Sequence, residues 1–439
     1  MKKIFIVLAL LATALPVQML AADKTDESKK QVEKPSHLKF YGFIRNYVTF
    51  DSRENKTGTK DLFYYLPKDV SMSNGEDLNA TSSFRFLAIT SRLGLDVKDY
   101  QIGNTQIAAK IEADFYSMNG NTAVFRLRQA YAHLTWSGLG KEEKNSASLK
   151  MGQAWHPMAV DQPYVISLET GAPFTPFSRT PQATFDYSFG KNVTLTGALV
   201  YQMQYLSVGP DGSSDNYMKY SCTPEVYAGI TLKSNNGFTF KTGADLLSIK
   251  PRWKADGKKV SDRITTITPY IYAQYTKGSF SINGRTLYGS AGEHFNMLSG
   301  YGVSNINTDG SWDYTPLHSS VSFLSVKYGK KVQFMGMVGY MKNLGTNTPL
   351  YSDKGSLTSA KYLYLSGNTF SNLNSVIRVT PTIAYNLGKL TLALEYDLTS
   401  AQYGEYTEAG YVNSKNGMVT DGLHWVTNHR LLGMVKFSF

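Results

Sequence analysis

The chain has 439 residues, with 45 lysines and arginines against 34 aspartates and glutamates, which gives a formal charge of +11. A single cysteine, Cys222, excludes an internal disulfide framework. Thirty tyrosines, 22 phenylalanines and 37 glycines beside only 15 prolines are typical of an all-β protein rich in aromatic residues.

The N-terminus has the pattern of a secretory signal peptide over residues 1–22, with two lysines, an apolar stretch and a small-residue end. Removing these two lysines leaves 43 basic and 34 acidic residues, a formal charge of +9. Residues 23–37 are charged and lack a heptad pattern, so we expect a short tether. The fold is then expected to span residues 38–439.

From residue 38 onward, strand-like segments of about 9 to 15 residues alternate with two kinds of link. Seven links are short and mostly rich in Gly, Asn and Lys, which hairpin turns favour. They lie at 98–104, 137–146, 190–192, 234–237, 277–279, 329–331 and 388–389. The long or irregular links lie at 51–82, 117–123, 157–181, 207–222, 250–262, 290–318, 343–374 and 401–422.

Seven short turns that alternate with eight long links join sixteen strands and place every long link at one end. This asymmetry predicts a transmembrane antiparallel up-and-down β-barrel in the outer membrane of a Gram-negative bacterium, with short periplasmic turns and long outer loops. The tether would then lie in the periplasm. The alternative is a soluble β-sandwich or propeller, which has no reason to collect its long links at one end.

The alternation of side chains indicates that the two faces of each strand meet two different solvents. In residues 105–116, TQIAAKIEADFY, one face carries Ile107, Ile111 and Phe115, and the other carries Lys110, Glu112 and Asp114. Three ionised groups on one face require water, so we expect lipid on one side and a wet lumen on the other. Sixteen strands are too wide for side chains to fill, which predicts an aqueous channel. Mixed alternation in 126–136 and 318–329 is explained either by a bulge or by contact with a neighbouring subunit.

The inward parity collects about fourteen basic and about eight acidic side chains, an excess that predicts an anion-preferring pore. Arginine suits planar, bidentate binding of carboxylates or phosphates. The alternative is that these charges form local ion pairs that only keep the lumen wet. The predicted pore-lining residues are Arg45, Arg92, Lys110, Glu112, Asp114, Arg126, Arg128, Arg285, Arg378, Glu395 and Arg430.

The link at 157–181 differs from the other links because it contains five prolines and several apolar residues. A segment of this composition is expected to be packed, and inside a wide barrel the available surface is the lumen wall. We therefore expect it to fold inward and constrict the pore, with Asp161, Glu169 and Arg179 as its polar contacts. The alternative is an outer loop packed on its neighbours or on another subunit.

Three stretches, FRLRQAYAHLTW (125–136), LKMGQAWHPM (149–158) and SRTPQATFDYS (178–188), resemble in order and spacing the DcaP-like trimeric porins. The resemblance covers roughly residues 40–200, whereas the remainder is similar only in its barrel pattern. It implies a homotrimer that passes dicarboxylates and other small anions, with Arg126, Arg128 and Arg179 on the anion path. Two departures are His156 and Pro157 after the Gly-Gln-Ala-Trp run and the absence of a coiled-coil pattern in the tether.

Other chemistries find little support. The seven histidines are His37, His133, His156, His294, His318, His424 and His429. None has the spacing of a metal-binding motif, and no catalytic elbow or phosphate-binding loop is present, so we expect no enzyme, metal or cofactor. Nucleic acid is disfavoured as a partner by export. A receptor or adhesin acting through the long loops and a barrel-embedded hydrolase remain alternatives.

The last eleven residues, HRLLGMVKFSF, alternate to the final residue. We expect them to form the sixteenth strand, which pairs with the first and places Phe437 and Phe439 outward in an aromatic girdle facing outer-membrane lipid. A terminal aromatic on such a strand resembles the signal read by the barrel-insertion machinery.

Overall fold

Sixteen long strands form the fold. The computed structural model of the protein describes residues 37–116, 123–352, 358–359, 362–406, 411–412 and 416–439, so the predicted signal peptide and nearly all of the tether lie outside the described residues. The strands are β1 (Leu38–Asp51), β2 (Arg92–Ile102), β3 (Thr105–Tyr116), β4 (Val124–Leu139), β5 (Asn145–Trp155), β6 (Arg179–Phe189), β7 (Val193–Val200), β8 (Glu225–Lys233), β9 (Phe238–Ile249), β10 (Ile264–Lys277), β11 (Phe280–Ser290), β12 (His318–Gly329), β13 (Val332–Gly345), β14 (Leu373–Leu387), β15 (Leu390–Tyr403) and β16 (His424–Ser438).

Each strand pairs antiparallel with the next, and β16 pairs with β1 from Phe43↔Ser438 to Asp51↔Arg430. The other edge of β1 pairs with β2 over Leu38–Phe43 and with the short strand Ser83–Leu87 further along. Among the described strands, this closure leaves the barrel sheet without a free edge, which is the condition for a β-structure to lie in lipid. The predicted sixteen-stranded antiparallel barrel is therefore confirmed.

The two ends of the barrel differ as predicted. Seven connections of two to five residues, such as 278–279 and 388–389, lie at one end. Gly278 and Gly388 both have a φ of +61°, a conformation that glycine adopts without steric cost. The other eight connections lie at the opposite end. They are longer and carry the short elements of the fold.

The outward face of the wall is apolar. On β7, Leu195 and Leu199 are 45% and 53% exposed, while Ala198 and Val200 between and beyond them are buried. The same alternation exposes Leu392 and Leu394 on β15. A continuous apolar belt on a closed barrel is suited to the hydrocarbon core of a bilayer. No helix in the described residues has the length and apolarity needed to cross a membrane.

A register shift explains the mixed alternation of β4. Glu112 of β3 pairs with Gln129, whereas Ala113 pairs with Leu127, so Arg128 is the extra residue of a β-bulge. The bulge turns both Arg128 and Gln129 toward Glu112, which each contacts by a hydrogen bond. A bulge that redirects a side chain in this way concentrates charge on the inside of the wall.

Two segments from the long connections fold into the barrel. One is the hairpin of Asn55–Gly58 and Phe63–Pro67, hereafter the inward hairpin, whose second strand is entirely buried. The other is residues 156–178, hereafter the inward link, which begins with a 3-10 turn at Pro157–Ala159. Phe174 of this link packs so closely on Gly339 of β13 that a Cβ there would lie 2.4 Å from its ring. Both segments share one apolar core with inward residues of the wall.

The remaining elements lie in the long connections. Gly300–Ile306 pairs with Trp312–Pro316 and Leu363–Leu365 in a three-stranded sheet. The short helix is Asn216–Lys219, and a second 3-10 turn is Glu293–Phe295. The two-residue strand pairs are Met72–Ser73 with Glu76–Asp77, Val208–Gly209 with Gly212–Ser213, Lys254–Ala255 with Lys258–Lys259, and Thr358–Ser359 with Tyr411–Val412.

Candidate functional site: the barrel lumen

The inward link crosses the inside of the barrel. At one end Asp161 accepts two hydrogen bonds of 2.8 Å from Lys241 Nζ on β9. Further along, Tyr47 on β1 donates through its hydroxyl to the carbonyl of Ile166 at 2.6 Å. Because β1 and β9 are eight strands apart in a ring of sixteen, these contacts lie on opposite sides of the wall. The link therefore divides the lumen.

Four predicted lining residues hold the inward segments in place. Arg378 donates to the carbonyl of Tyr65 in the inward hairpin at 2.7 Å and to that of Ala172 in the inward link at 3.1 Å. The other three behave alike: Arg285 donates to the carbonyl of Met158, Glu395 accepts from the amide of Ile166, and Arg430 binds both oxygens of Asp51 and the carbonyl of Asp61. All four point inward, as their parity predicts, but they are covered and do not face open space.

Glu169 of the inward link lies near Arg378 and Arg430, two of these buried arginines. Its side chain is fully buried and 3.4 Å from the Arg378 guanidinium. Burial raises the pKa of Glu169 to about 7, although the nearby Arg378 and Arg430 guanidiniums lower it. The carboxyl group consequently titrates near neutral pH.

A basic cavity remains beside the inward link. It has a volume of about 240 Å³ and contains five cationic side chains but no aspartate or glutamate among its described lining residues. The cationic residues are Arg45, Arg92, Arg126, Arg128 and Lys436. Uncharged parts of its wall come from both inward segments, including Phe63, Gln162 and Thr170. A polar cavity with this lining attracts anions and repels cations.

Two carboxylates that do not line the cavity form ion pairs with three of these arginines. Glu112 contacts Arg128 Nε at 2.9 Å and Arg92 Nη1 at 3.5 Å. Asp114 contacts Arg126 Nε at 2.8 Å and Arg128 Nη1 at 2.5 Å. Both carboxylates are buried, whereas Arg126 keeps 24% of its side chain exposed. The carboxylates thus fix the arginines and leave part of the Arg126 charge facing the cavity.

Arg45 and Lys436 are different, because no carboxylate contacts either of them within the described part of the chain. They face each other across the β1–β16 pair. Arg45 donates through Nε to the Thr90 hydroxyl at 3.2 Å and lies over the rings of Phe43 and Tyr47. Five cations and two carboxylates leave this cluster with a formal charge of +3.

Arg179 extends the basic surface into a neighbouring cavity of about 570 Å³, which also contacts Arg126. Its guanidinium lies over the Trp155 ring at 4.7 Å, and its Nη1 has no hydrogen-bond partner among the described residues. The two cavities share the lining residues Thr59, Phe63, Arg126, Gln204 and Tyr205. Among the described residues, Arg126 is therefore the one cation that faces both cavities.

Lys110 has a different environment. It bonds Asp96 at 2.5 Å and the Tyr41 hydroxyl at 2.8 Å, and it does not line the basic cavity. Lys110 therefore fits the alternative raised from the sequence, in which the inward charges form local ion pairs. The charges on the lumen wall therefore divide into locally paired groups such as Lys110 and a cluster of cations that carboxylates balance only in part.

Lys436 is not among the predicted pore-lining residues, although the alternation of the last eleven residues places it on the inward face with Arg430. Nothing in the sequence placed it in a cavity with Arg45. The inward hairpin was also missed, since residues 51–82 read as an outer loop. The apolar run Phe63–Pro67 could have indicated that this segment is packed, because apolar residues led to the same prediction for the 157–181 link.

Known proteins share this fold. The outer membrane channel DcaP of Acinetobacter baumannii superimposes with a TM-score of 0.62 over 92% of this chain and 97% of its own, at 17% identity. An anion-selective porin from Comamonas acidovorans superimposes with a TM-score of 0.50 over 92% and 99%, at 10% identity. The chain has the DcaP-like porin fold. No family model and no curated protein matches its sequence.

This porin fold, with its apolar belt and short-turn end, lies in the outer membrane of a Gram-negative bacterium, as predicted. Its strands supply the wall, and the inward hairpin and inward link supply the surface that narrows the lumen.

Proposed function

We propose that this porin-fold protein is a passive outer-membrane channel for small hydrophilic solutes that prefers anions. The observation that carries the proposal is the basic cavity, with five cations and no carboxylate among its described lining residues. In such a constriction the field of the wall is weakly screened, so it selects by charge as well as by width. The anion-selective porin of the same fold adds support.

Small dicarboxylates are the solute class that fits best. A dicarboxylate carries two planar acceptor groups, and Arg45 and Arg126 present guanidiniums, which bind such groups bidentately. Arg45 bears no carboxylate partner within the described residues, and Arg126 shares Asp114 with Arg128. Neither guanidinium is therefore neutralised by a partner of its own.

Planar-bilayer recording under a salt gradient tests the proposal. We expect single-channel steps, a reversal potential of the sign that anion selectivity requires, and block of chloride current by millimolar succinate. A reversal potential of the opposite sign refutes the charge argument. Absence of any conductance refutes the channel and favours a receptor or adhesin that works through the long loops.

Ser290 and His318 are a structural candidate for the hydrolase alternative. Ser290 Oγ lies 2.9 Å from His318 Nδ1, but both side chains are buried and no carboxylate contacts His318 among the described residues. A catalytic serine needs an accessible hydroxyl and an oriented base, so this pair supports packing instead.

The homotrimer implied by the family resemblance is part of the proposal. Mass determination of the detergent-solubilised protein is expected to give three chains per particle, and a monomeric mass would contradict it.

A further inference from the structure

Two histidines and two carboxylates meet inside the barrel, away from the basic cavity. His156 is the first residue of the inward link, Glu225 begins β8, Asp245 lies on β9, and His294 lies in the 3-10 turn Glu293–Phe295. All four are at most 3% exposed. Four separate elements therefore deliver these groups to one buried point.

The donor atoms are close enough to share an ion. His294 Nε2 lies 3.7 Å from Glu225 Oε2 and 3.8 Å from Asp245 Oδ2. Donor atoms of His156, Glu225 and Asp245 lie within 4.8 Å of one another. Ligands at about 2.1 Å from a tetrahedral zinc ion are roughly 3.4 Å apart. The observed separations need only small adjustments to reach that value.

The negative charge of the two carboxylates in this cluster is not balanced by a lysine or an arginine among the residues that the structure describes. Neither residue type forms an ion pair with Glu225 or Asp245 in the described ranges, so these two buried carboxylates contact only two imidazoles. Both oxygens of Glu225, Oδ1 of Asp245 and both ring nitrogens of His294 lack hydrogen-bond partners among those residues. Isolated buried charge is costly, and a divalent cation is a common means of balancing two carboxylates.

The role of His156 follows from its backbone contact. Its Nδ1 accepts a hydrogen bond from the Met158 amide at 3.1 Å, so Nε2 carries the proton of the neutral ring. That Nε2 lies 2.8 Å from Glu225 Oε1, a close contact although the two groups are not aligned as a hydrogen bond. His156 is therefore suited to position Glu225, while Glu225, Asp245 and His294 are free to contact an ion.

We propose that these residues bind one zinc-class divalent ion, with Glu225, Asp245 and His294 as ligands and His156 as a positioning residue. Imidazole and carboxylate ligands suit zinc, whereas calcium prefers more oxygen atoms. The ion would join β8 and β9 to the start of the inward link and to the turn after β11. This proposal departs from the sequence expectation of no metal, because the four residues span 156–294 in no recognisable spacing.

The test compares the full-length protein refolded in detergent with zinc chloride or with EDTA, followed by desalting. We expect one zinc per chain by elemental mass spectrometry and a higher unfolding temperature after refolding with zinc. His294→Ala and the double variant Glu225→Gln/Asp245→Asn are expected to lose zinc. His156→Ala is expected to weaken zinc binding by roughly 10- to 100-fold, as for other groups that position ligands.

His318→Ala is the matched control, since His318 is also a buried histidine, at the start of β12, but contacts Ser290 and no carboxylate among the described residues. It is expected to keep one zinc per chain. The double variant retains side-chain size and removes buried charge, so its folding is checked by its gel mobility before and after heating. Zinc content no higher in the wild type than in this folded double variant overturns the proposal.

Discussion

Among single residues, contact with a carboxylate separates the structural cations of the lumen from those suited to attract a solute. Arg430 is buried and bonds both oxygens of Asp51. Arg45 lines the cavity and has no carboxylate partner in the described residues. Parity treats these two arginines as equivalent. Their difference depends on what covers each of them, which is a tertiary property.

Replacing Arg45 with glutamine should weaken anion preference without disturbing the barrel. One unit charge several ångströms from a permeating ion contributes on the order of 1 kcal/mol in a partly screened lumen, or about a fivefold change in the permeability ratio. The measurement is the reversal potential in a salt gradient. Lys144→Gln is the control, because Lys144 is 73% exposed in a short turn and should leave selectivity unchanged. Equal effects of both variants would contradict the assignment.

The buried Glu169 should make the stability of the protein depend on pH. Burial raises its folded-state pKa to about 7 from an ordinary value of 4.5, so the protonated form is favoured in the folded state. Its contribution to stability is present below the ordinary value and is lost as pH rises through about 7. We expect the unfolding temperature to fall between about pH 4.5 and pH 7 and to level off above, with a total free-energy change on the order of 3 kcal/mol.

Glu169→Gln imitates the protonated carboxyl group and should flatten this pH dependence. Glu54→Gln is the control, since Glu54 is 43% exposed and pairs with Lys68 on the surface. The Arg378 and Arg430 guanidiniums and the Asp397 carboxylate face the same site. An unchanged pH profile in Glu169→Gln would assign the titration to another group.

At the level of elements, the strands and the segments inside them were predictable to different degrees. The alternation of 105–116 placed Glu112 and Asp114 inward and Ile111 outward, as the structure has them. It failed at Arg128, because a bulge adds a residue that a strict period of two does not contain. Strand periodicity describes the wall, and the register irregularities depend on neighbouring strands.

The site was less predictable. Composition marked the 157–181 link as packed, and its contacts with Lys241 and Tyr47 now define where it lies. The inward hairpin had a similar apolar run but was read as an outer loop. The partners of Arg378 on both segments are more than 200 residues away in sequence, so no local pattern contains them.

Removing the middle of the inward link should widen the lumen. Replacing residues 160–173 with a short Gly-Ser linker is expected to raise single-channel conductance by roughly two- to threefold, because sixteen-stranded barrels enclose a wide channel when unobstructed. Shortening the exposed hairpin at 254–259 is the control and should leave conductance unchanged. An unaltered conductance in the first variant would show that current does not pass beside the link.

For the whole molecule, closure brings the two ends of the barrel together. Phe439 exchanges backbone hydrogen bonds of 3.1 and 3.2 Å with Gly42, and its ring covers the position that a Cβ on Gly42 would occupy. The final residue is consequently part of the seam between β16 and β1. Its ring is 48% exposed on the outward face.

Deleting Phe439 should impair assembly more than it impairs the finished barrel. The seam keeps nine backbone register pairs from Phe43 to Asp51, so the loss is small once closure is complete. We expect a several-fold lower yield of heat-modifiable barrel in cells and a small change in the unfolding temperature of the surviving protein. Phe437→Leu keeps the terminal aromatic and is the control. An equal yield for wild type and deletion would exclude a role for the terminus in insertion.

The inward link has a consequence for the order of biogenesis. It is synthesised after only five of the sixteen strands, yet its Ile166 bonds Tyr47, 119 residues earlier, and Glu395, 229 residues later. Contacts of such separation form late because long loops must close first. The link can therefore reach its final position only when β1 and β15 are both in place, and the lumen acquires its final contour late in the assembly of the barrel.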